Sequence, residues 1–323
     1  MTSYSKWTWT KSQNPRVSRI LWSPDSVDFR IIRETVGSPF EWNVRKSYTA
    51  IAKKLAVDEE TVRLRLRRMK RQGFLLRWRL IPNPMLIGRR TSALLMEFDD
   101  QPTYERAMLH LQNTDGVVII TEFYEMRVSV YLFHDYPQEQ IAQTIASSCN
   151  GRVITSWQTE FPGVSRKLTK LDWEIIEGLM KNPERKLSDL ADKLGVSTRT
   201  VKRRVKDMMG SYAFFLLPVL NLKKIKGVPC QLIVESDVSK KHAIDKMITS
   251  NFDPIMRFRN TESRTHSVYG IACANVTEGT EIRKSIENQP GVRTVRMNIV
   301  ERLVHVYDWT ESQVRLMVSR SDA

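Results

Sequence analysis

The sequence predicts an α+β chain in which one two-part unit is used twice. Three observations carry this reading. An internal repeat returns after about 140 residues, too long a period for a solenoid. The positive charge is gathered into two blocks, and inside each unit the hydrophobic period changes from helical to alternating.

The repeat is visible as text. SVDFRIIRETV (Ser26–Val36) matches KLDWEIIEGLM (Lys170–Met180), sharing an Asp-aromatic pair and an Ile-Ile pair. YTAIAKKLAV (Tyr48–Val57) matches LSDLADKLGV (Leu187–Val196), and from there the copies run without a gap to Gly88 and Gly227. Further on, SVYLF (Ser129–Phe133) answers SVYGI (Ser267–Ile271).

The charge follows the same division. The net charge is +15, but residues 25–90 hold 16 basic and 7 acidic side chains and residues 164–227 hold 15 and 7. Residues 91–163 hold 3 and 10, and residues 228–306 are nearly balanced. A merely solubilising charge would be spread evenly. Two concentrated basic blocks predict a polyanionic partner.

Within each basic block the spacing is helical. Phe29, Ile32 and Val36 share one face, as do Trp173, Ile176 and Met180. A short second helix carries Ile51, Ala52 and Leu55, mirrored by Leu190, Ala191 and Leu194. A turn follows at Ala56-Val57 or Gly195-Val196, then a third helix capped by Asp58 or Ser197. Its buried side is Val62, Leu66 and Met69 in one copy and Val201, Val205 and Met208 in the other. This is a helix-turn-helix arrangement. The extended apolar runs Phe74–Ile81 and Ala213–Leu220 then serve as a wing or exit strand.

The remainder of each unit reads βαββαβ, a ferredoxin-like order. Strands are expected near Ala93–Phe98, Gly116–Glu122, Arg127–Phe133 and Arg152–Glu160, with helices at Pro102–Leu111 and Pro137–Ser147. The second copy places strands near Cys230–Glu235, Pro254–Arg259, His266–Cys273 and Arg293–Val300. Val128, Val130 and Leu132 point one way and Tyr131 and Phe133 the other, so both sheet faces are apolar. Helices cover only one face, and the other copy is the natural cover for the second.

The expected organisation is therefore a basic Trp-containing arm (1–24), winged helix-turn-helix 1 (25–90), α/β domain 1 (91–163), winged helix-turn-helix 2 (164–227), α/β domain 2 (228–306) and a C-terminal tail (307–323). Trp7, Trp9 and Trp22 in the arm either contact DNA or pack on the first winged domain.

LTKLDWEIIEGLMKNPERKLSDLADKLGVSTRTVKRRVKDM, followed by an exit strand and a βαββαβ domain, resembles the Lrp/AsnC family of prokaryotic regulators, over nearly the whole chain and twice. LIPNPMLIG (Leu80–Gly88) and VLNLKKIKG (Val219–Gly227) resemble that family's post-wing linker, with Leu222 where a Pro is usual. The resemblance implies a sequence-specific transcriptional regulator that binds double-stranded DNA, with α/β halves that dimerise and bind an effector. Two units in one chain imply an intrachain pseudo-dimer, with further homo-oligomers left open. The family's ligand loop falls at EFYEMR (Glu122–Arg127) and NTESRT (Asn260–Thr265), and neither carries the expected Gly or Asp. These loops argue against an amino-acid effector.

The residues expected at DNA are Thr198, Arg199, Lys202, Arg203 and Lys206 in the second copy, and Thr61, Arg63, Arg67 and Arg71 in the first. Arg suits guanine and the remaining cations suit phosphate. In the first copy Glu59 and Glu60 either stabilise the helix start or accept from cytosine N4, so the two helices are expected to read unlike half-sites. Two rivals share the architecture. One is a sirohaem-decarboxylase-like enzyme, to whose aromatic and histidine segment FYEMRVSVYLFHD (Phe123–Asp135) bears a likeness. The other is a protein-interaction scaffold that has lost DNA.

No cofactor or metal is expected, since His110, His134, His242, His266 and His305 share no ligand spacing. Cys149, Cys230 and Cys273 form no CxxC pair. No phosphate loop, nucleophile elbow or HExxH occurs. The absence of a signal-peptide pattern or an 18-residue apolar run predicts a soluble cytoplasmic protein, nucleoid-associated if it binds DNA.

Overall fold

The computed structural model describes residues 22–36, 47–252, 256–258 and 263–321. Trp7, Trp9 and most of the N-terminal arm lie outside the described residues. In the first half, α1 (Ser26–Val36), α2 (Tyr48–Leu55) and α3 (Glu59–Arg71) precede β1 (Leu75–Pro82) and a 3-10 turn at Pro84–Ile87. Then come β2 (Arg90–Glu97), α4 (Gln101–Gln112), β3 (Val117–Phe123), β4 (Arg127–His134), α5 (Gln138–Cys149) and β5 (Arg152–Thr159). The second half runs in the same order. It comprises α6 (Lys170–Met180), α7 (Leu187–Leu194), α8 (Thr198–Gly210), β6 (Phe214–Leu220), a 3-10 turn at Leu222–Lys224, β7 (Val228–Ser236), α9 (Lys241–Asn251), β8 (Met256–Phe258), β9 (His266–Cys273), α10 (Val276–Glu287) and β10 (Val292–His305). A last helix, α11 (Asp308–Arg320), has no counterpart in the first half.

The helix-turn-helix geometry follows from caps and turns. The Thr61 N–H donates to the Asp58 carboxylate, and the Thr200 N–H donates to the Ser197 hydroxyl, so each third helix starts where its cap stands. The preceding turn needs a left-handed residue. Gly195 takes it at φ 65° without cost, whereas Ala56 takes it at φ 55° at a cost of roughly 1–2 kcal/mol. Val62, Leu66 and Met69, with Val201, Val205 and Met208, are the buried sides of α3 and α8, as their spacing requires.

Neither helix-turn-helix is followed by a wing of its own. β1 and β6 pair with each other, antiparallel, with Trp78 opposite Pro218 and Leu80 opposite Leu216. Every residue of β6 is buried, so this strand needs a partner with an apolar face of its own. The ribbon lies within a core that takes side chains from both three-helix sets, including Ile31, Val62, Trp78, Trp173, Val201 and Leu216. The two helix-turn-helices are thereby held in one packed body.

All the other strands form one eight-stranded sheet, in the order β5-β2-β4-β3-β10-β7-β9-β8. The strand expected at Arg293–Val300 continues to His305. After an irregularity between Val300 and Arg302, its last residues pair with β3, His305 standing opposite Ile119. One stretch of backbone thus joins the two halves. The face without helices is covered by the opposite half: Leu95, Phe123 and Trp157 meet Ile233 and Val300 in one buried cluster. Five such side chains, at roughly 1.5–3 kcal/mol each, are enough to hold the two sheet halves face to face.

The segment expected as a C-terminal tail is helical instead. α11 packs along α6, with Val314 fully buried. Its Glu311 accepts from Arg79 of β1 at 3.4 Å and lies 3.2 Å from the Lys181 ammonium, which ties the ribbon to the second helix-turn-helix.

Candidate nucleic-acid interface

The outward face of α8 is a row of free cations. Arg199, Lys202, Arg203 and Lys206 are exposed, and among the described residues none has an ion-pair partner. Thr198 is half-buried at the helix start. The four cations sit on the side away from Val201, Val205 and Met208, whereas Thr198, three residues before Val201, lies at the edge of the buried side. The fifth cation of the segment is used differently. Arg204 turns inward and donates to Asp172 Oδ1 at 3.0 Å and to the Thr169 hydroxyl at 3.0 Å.

Asp172 is wholly buried and collects the polar groups at the start of α6. Its Oδ2 accepts from the Thr169 N–H (3.0 Å), the Thr169 hydroxyl (2.9 Å) and Arg166 (2.9 Å). Burial alone would raise its pKa. The Thr169 N–H, Arg204, the Thr169 hydroxyl and the Arg166 charge outweigh that and hold the carboxyl below its ordinary value. The first copy has the same device in a weaker form. Arg65 donates to Asp28 at 3.0 Å and to both oxygens of Asp25 at 2.8 Å. Burial and the adjacent Asp25 charge prevail there, and the Asp28 carboxyl titrates above its ordinary value. These aspartates were not among the sequence candidates. The signal was the Asp-aromatic pair shared by both copies, one third-helix Arg apart from the exposed row.

α3 presents another chemistry. The Arg63 guanidinium donates to Glu59 Oε1 at 2.7 Å and to Glu60 Oε2 at 2.6 Å. Glu59 Oε2 accepts from the Thr49 hydroxyl of α2 at 2.6 Å, and the Tyr48 ring lies 6.0 Å from the Arg63 carbon. Thr61 is occupied as well, its hydroxyl donating to the capping carboxylate of Asp58 at 2.7 Å. Of the four first-copy candidates, only Arg67 and Arg71 are exposed with no ion pair among the described residues. Leu64 is 54% exposed where α8 carries Arg203. The structure therefore brings Arg199, Lys202, Arg203 and Lys206 onto one open face, leaves Thr198 half-buried beside it, and separates Thr61 and Arg63 from Arg67 and Arg71.

A family model for the AsnC-type helix-turn-helix domain matches residues 168–209, from just before α6 almost to the end of α8. This segment is an AsnC-type helix-turn-helix. The Asp172–Arg204 clamp and the free cations of α8 both lie within it. No curated protein sequence matches the chain. Among solved structures, the sirohaem decarboxylase NirDL in complex with an iron-uroporphyrin III analogue aligns over 92% of this chain and 100% of its own, at 11% identity and a TM-score of 0.53. NirDL without that analogue aligns over the same shares at 12% identity and the same TM-score. Escherichia coli AsnC covers 43% of this chain and 93% of its own, at 15% identity and a TM-score of 0.32. At such identities the NirDL likeness concerns the fold, and the AsnC-type segment is the part with a sequence match.

The β3–β4 hairpin turns without glycine. Glu125 and Met126 both adopt positive φ, 65° and 54°. Glu122 at its base is buried and committed to Arg302 at 2.6 Å and to Tyr104 at 3.2 Å. No helix among the described residues is long and apolar enough to cross a membrane.

Proposed function

We propose that the chain is a transcriptional regulator that binds double-stranded DNA through two unlike recognition helices. The observation that carries this reading is the row Arg199, Lys202, Arg203 and Lys206, exposed and unpaired on the third helix of an AsnC-type helix-turn-helix. Four free cations on one helix face repel one another, and a polyanion that meets them relieves that repulsion. In a major groove, Arg199 and Arg203 are placed to read guanine, and Lys202 and Lys206 to hold phosphate.

Residues 25–90 and 164–227 act as the two reading units in this proposal, and residues 91–163 and 228–306 as the pairing units of an intrachain pseudo-dimer. The unit arose by duplication, and its copies then diverged at the DNA face. The β1–β6 ribbon and the shared helical core support it by fixing α3 relative to α8. Identical subunits favour a palindrome, whereas these helices favour an asymmetric site with halves centred roughly 10–21 base pairs apart. The compartment is the cytoplasm, at the nucleoid.

Selection from a random DNA pool with the full chain tests the reading. An asymmetric preferred site, bound with a steep salt dependence, is the expected result. A flat salt response and no enriched sequence would overturn it.

A second reading is an enzyme acting on a tetrapyrrole, as NirDL is named for doing. It draws on the end-to-end alignment and on His305, whose two ring nitrogens are buried without hydrogen-bond partners. That ring stacks on Tyr307 at 5.7 Å, and the Arg77 and Arg79 charges act on it. Histidine and arginine together suit a metal-bearing polycarboxylate. An absorbance titration with sirohaem separates the readings: a saturable spectral shift abolished by His305→Ala supports the enzyme, and an unshifted spectrum removes it.

A further inference from the structure

The Glu59-Arg63-Glu60 arrangement has no counterpart on α8, and its hydrogen bonds leave one acceptor free. Glu59 uses one oxygen for Arg63 and the other for Thr49. Glu60 uses Oε2 for Arg63, and its Oε1 has no partner among the described residues on a side chain 53% exposed. Arg63 braces Glu60 from one turn along the helix, and Glu59, itself anchored by Thr49, braces Arg63. Arg63 thereby orients Glu60 and leaves its second carboxylate oxygen without a partner among the described residues at the start of the helix. One turn further along the same face stands Leu64, 54% exposed.

A recognition helix contacts base edges with its N-terminal residues. A carboxylate there meets a donor, and in the major groove the cytosine N4 amino group is the one that a single acceptor fits. An apolar side chain fits the thymine methyl. Arg63 and the helix dipole offset the repulsion between Glu59, Glu60 and the phosphates, while Arg67 and Arg71 remain free for the backbone. We infer that Glu60 and Leu64 determine the specificity of the first half-site, Glu60 by accepting from a cytosine amino group and Leu64 by packing on a thymine methyl. Glu59 and Arg63 are positioning residues. Four residues along a helix span about 6 Å, so the two bases lie within about two base pairs of each other. The second half-site, read by Arg199 and Arg203, is guanine-bearing. This inference rests on the DNA-binding reading above.

The test uses the full chain and selection from a random duplex pool, with wild type, Glu60→Gln, Leu64→Ala and Arg199→Ala in parallel. Wild type should enrich a site with one half bearing the cytosine and thymine. Glu60→Gln should lose the cytosine preference by roughly 5- to 100-fold and shift toward adenine, which an amide reads through N6 and N7. Replacing that thymine with deoxyuridine, which lacks the methyl, should weaken wild type several-fold and leave Leu64→Ala unchanged. Arg199→Ala should alter only the other half. Both α3 variants are at exposed positions, and unchanged thermal unfolding verifies the fold. Enriched sites that respond to Arg199→Ala but not to Glu60→Gln, Leu64→Ala or deoxyuridine would overturn this inference and leave DNA binding standing. No enriched site in any arm would overturn the DNA reading itself.

Discussion

Replacing Asp172 with alanine removes four hydrogen bonds at the start of α6: those from Arg166, the Thr169 N–H, the Thr169 hydroxyl and Arg204. The carboxylate is wholly buried, and both arginines are largely withdrawn from solvent, with side chains 28% and 23% exposed. Removing one partner of a buried pair costs about 3–5 kcal/mol, because the remaining charge stays desolvated. Asp28→Ala removes two hydrogen bonds, from Arg65 and from the Asp25 N–H, and should cost less, about 1.5–3 kcal/mol, because Arg65 keeps both oxygens of Asp25. The two variants should also differ in sign on acidification. Asp172 has a depressed pKa, so its stabilisation is present above the ordinary 3.8 and is lost as pH falls through the folded value. Asp28 has a raised pKa, so its contribution is full below 3.8 and is lost as pH rises through the folded value. Asp172→Ala should therefore flatten the acid branch of the stability curve, and Asp28→Ala should steepen it. Urea unfolding followed by circular dichroism at several pH values measures both. A cost below about 1 kcal/mol for Asp172→Ala, or a larger cost for Asp28→Ala, would refute the clamp as the device that fixes the third helix.

Three further outcomes are expected. Arg199→Ala and Arg203→Ala should each lower specific affinity by about 1–3 kcal/mol in fluorescence anisotropy while sparing random DNA. Lys202→Ala and Lys206→Ala should weaken both kinds of duplex equally, each reducing the slope of log K against log salt by about 1. His305 is held neutral down to about 4 by burial and by Arg77 and Arg79. The stability it confers is full above the ordinary 6.5 and falls as pH drops toward about 4, so His305→Phe, which keeps the ring stack on Tyr307, should abolish the slope in that window.

Helical spacing and caps made the helix-turn-helix legible. Val62, Leu66 and Met69 recur on one face, and Asp58 stands where a cap must. Strand alternation likewise separated Val130 from Tyr131 in β4, which face different cores. The pairing of β1 with β6 was not legible, because an all-apolar strand such as FFLLPVL states that it needs cover without stating which strand supplies it. β10 was read short, because Glu301 and Arg302 break the apolar run, yet Arg302 is the partner of buried Glu122. The last helix lay beyond the repeat, so no second copy drew attention to its spacing. At the interface, the residue types of the α8 face were plain in the text. The neutralisation of Arg63 was present only as i+3 and i+4 offsets, which become an interaction when the helix forms.

The β3–β10 ladder has a consequence in time. β3 is synthesised roughly 180 residues before the segment that completes its edge, an interval of about 10–40 s at roughly 5–20 residues per second. Until His305 and its neighbours emerge, Ile119, Ile120 and Thr121 present an unpaired edge of consecutive apolar and β-branched residues, a template for any other nascent strand. β1 waits in the same way for β6. Joining two halves in one chain thus exchanges a search between subunits for a long exposure on the ribosome, and the slow, aggregation-sensitive phase of this protein's life should be its synthesis.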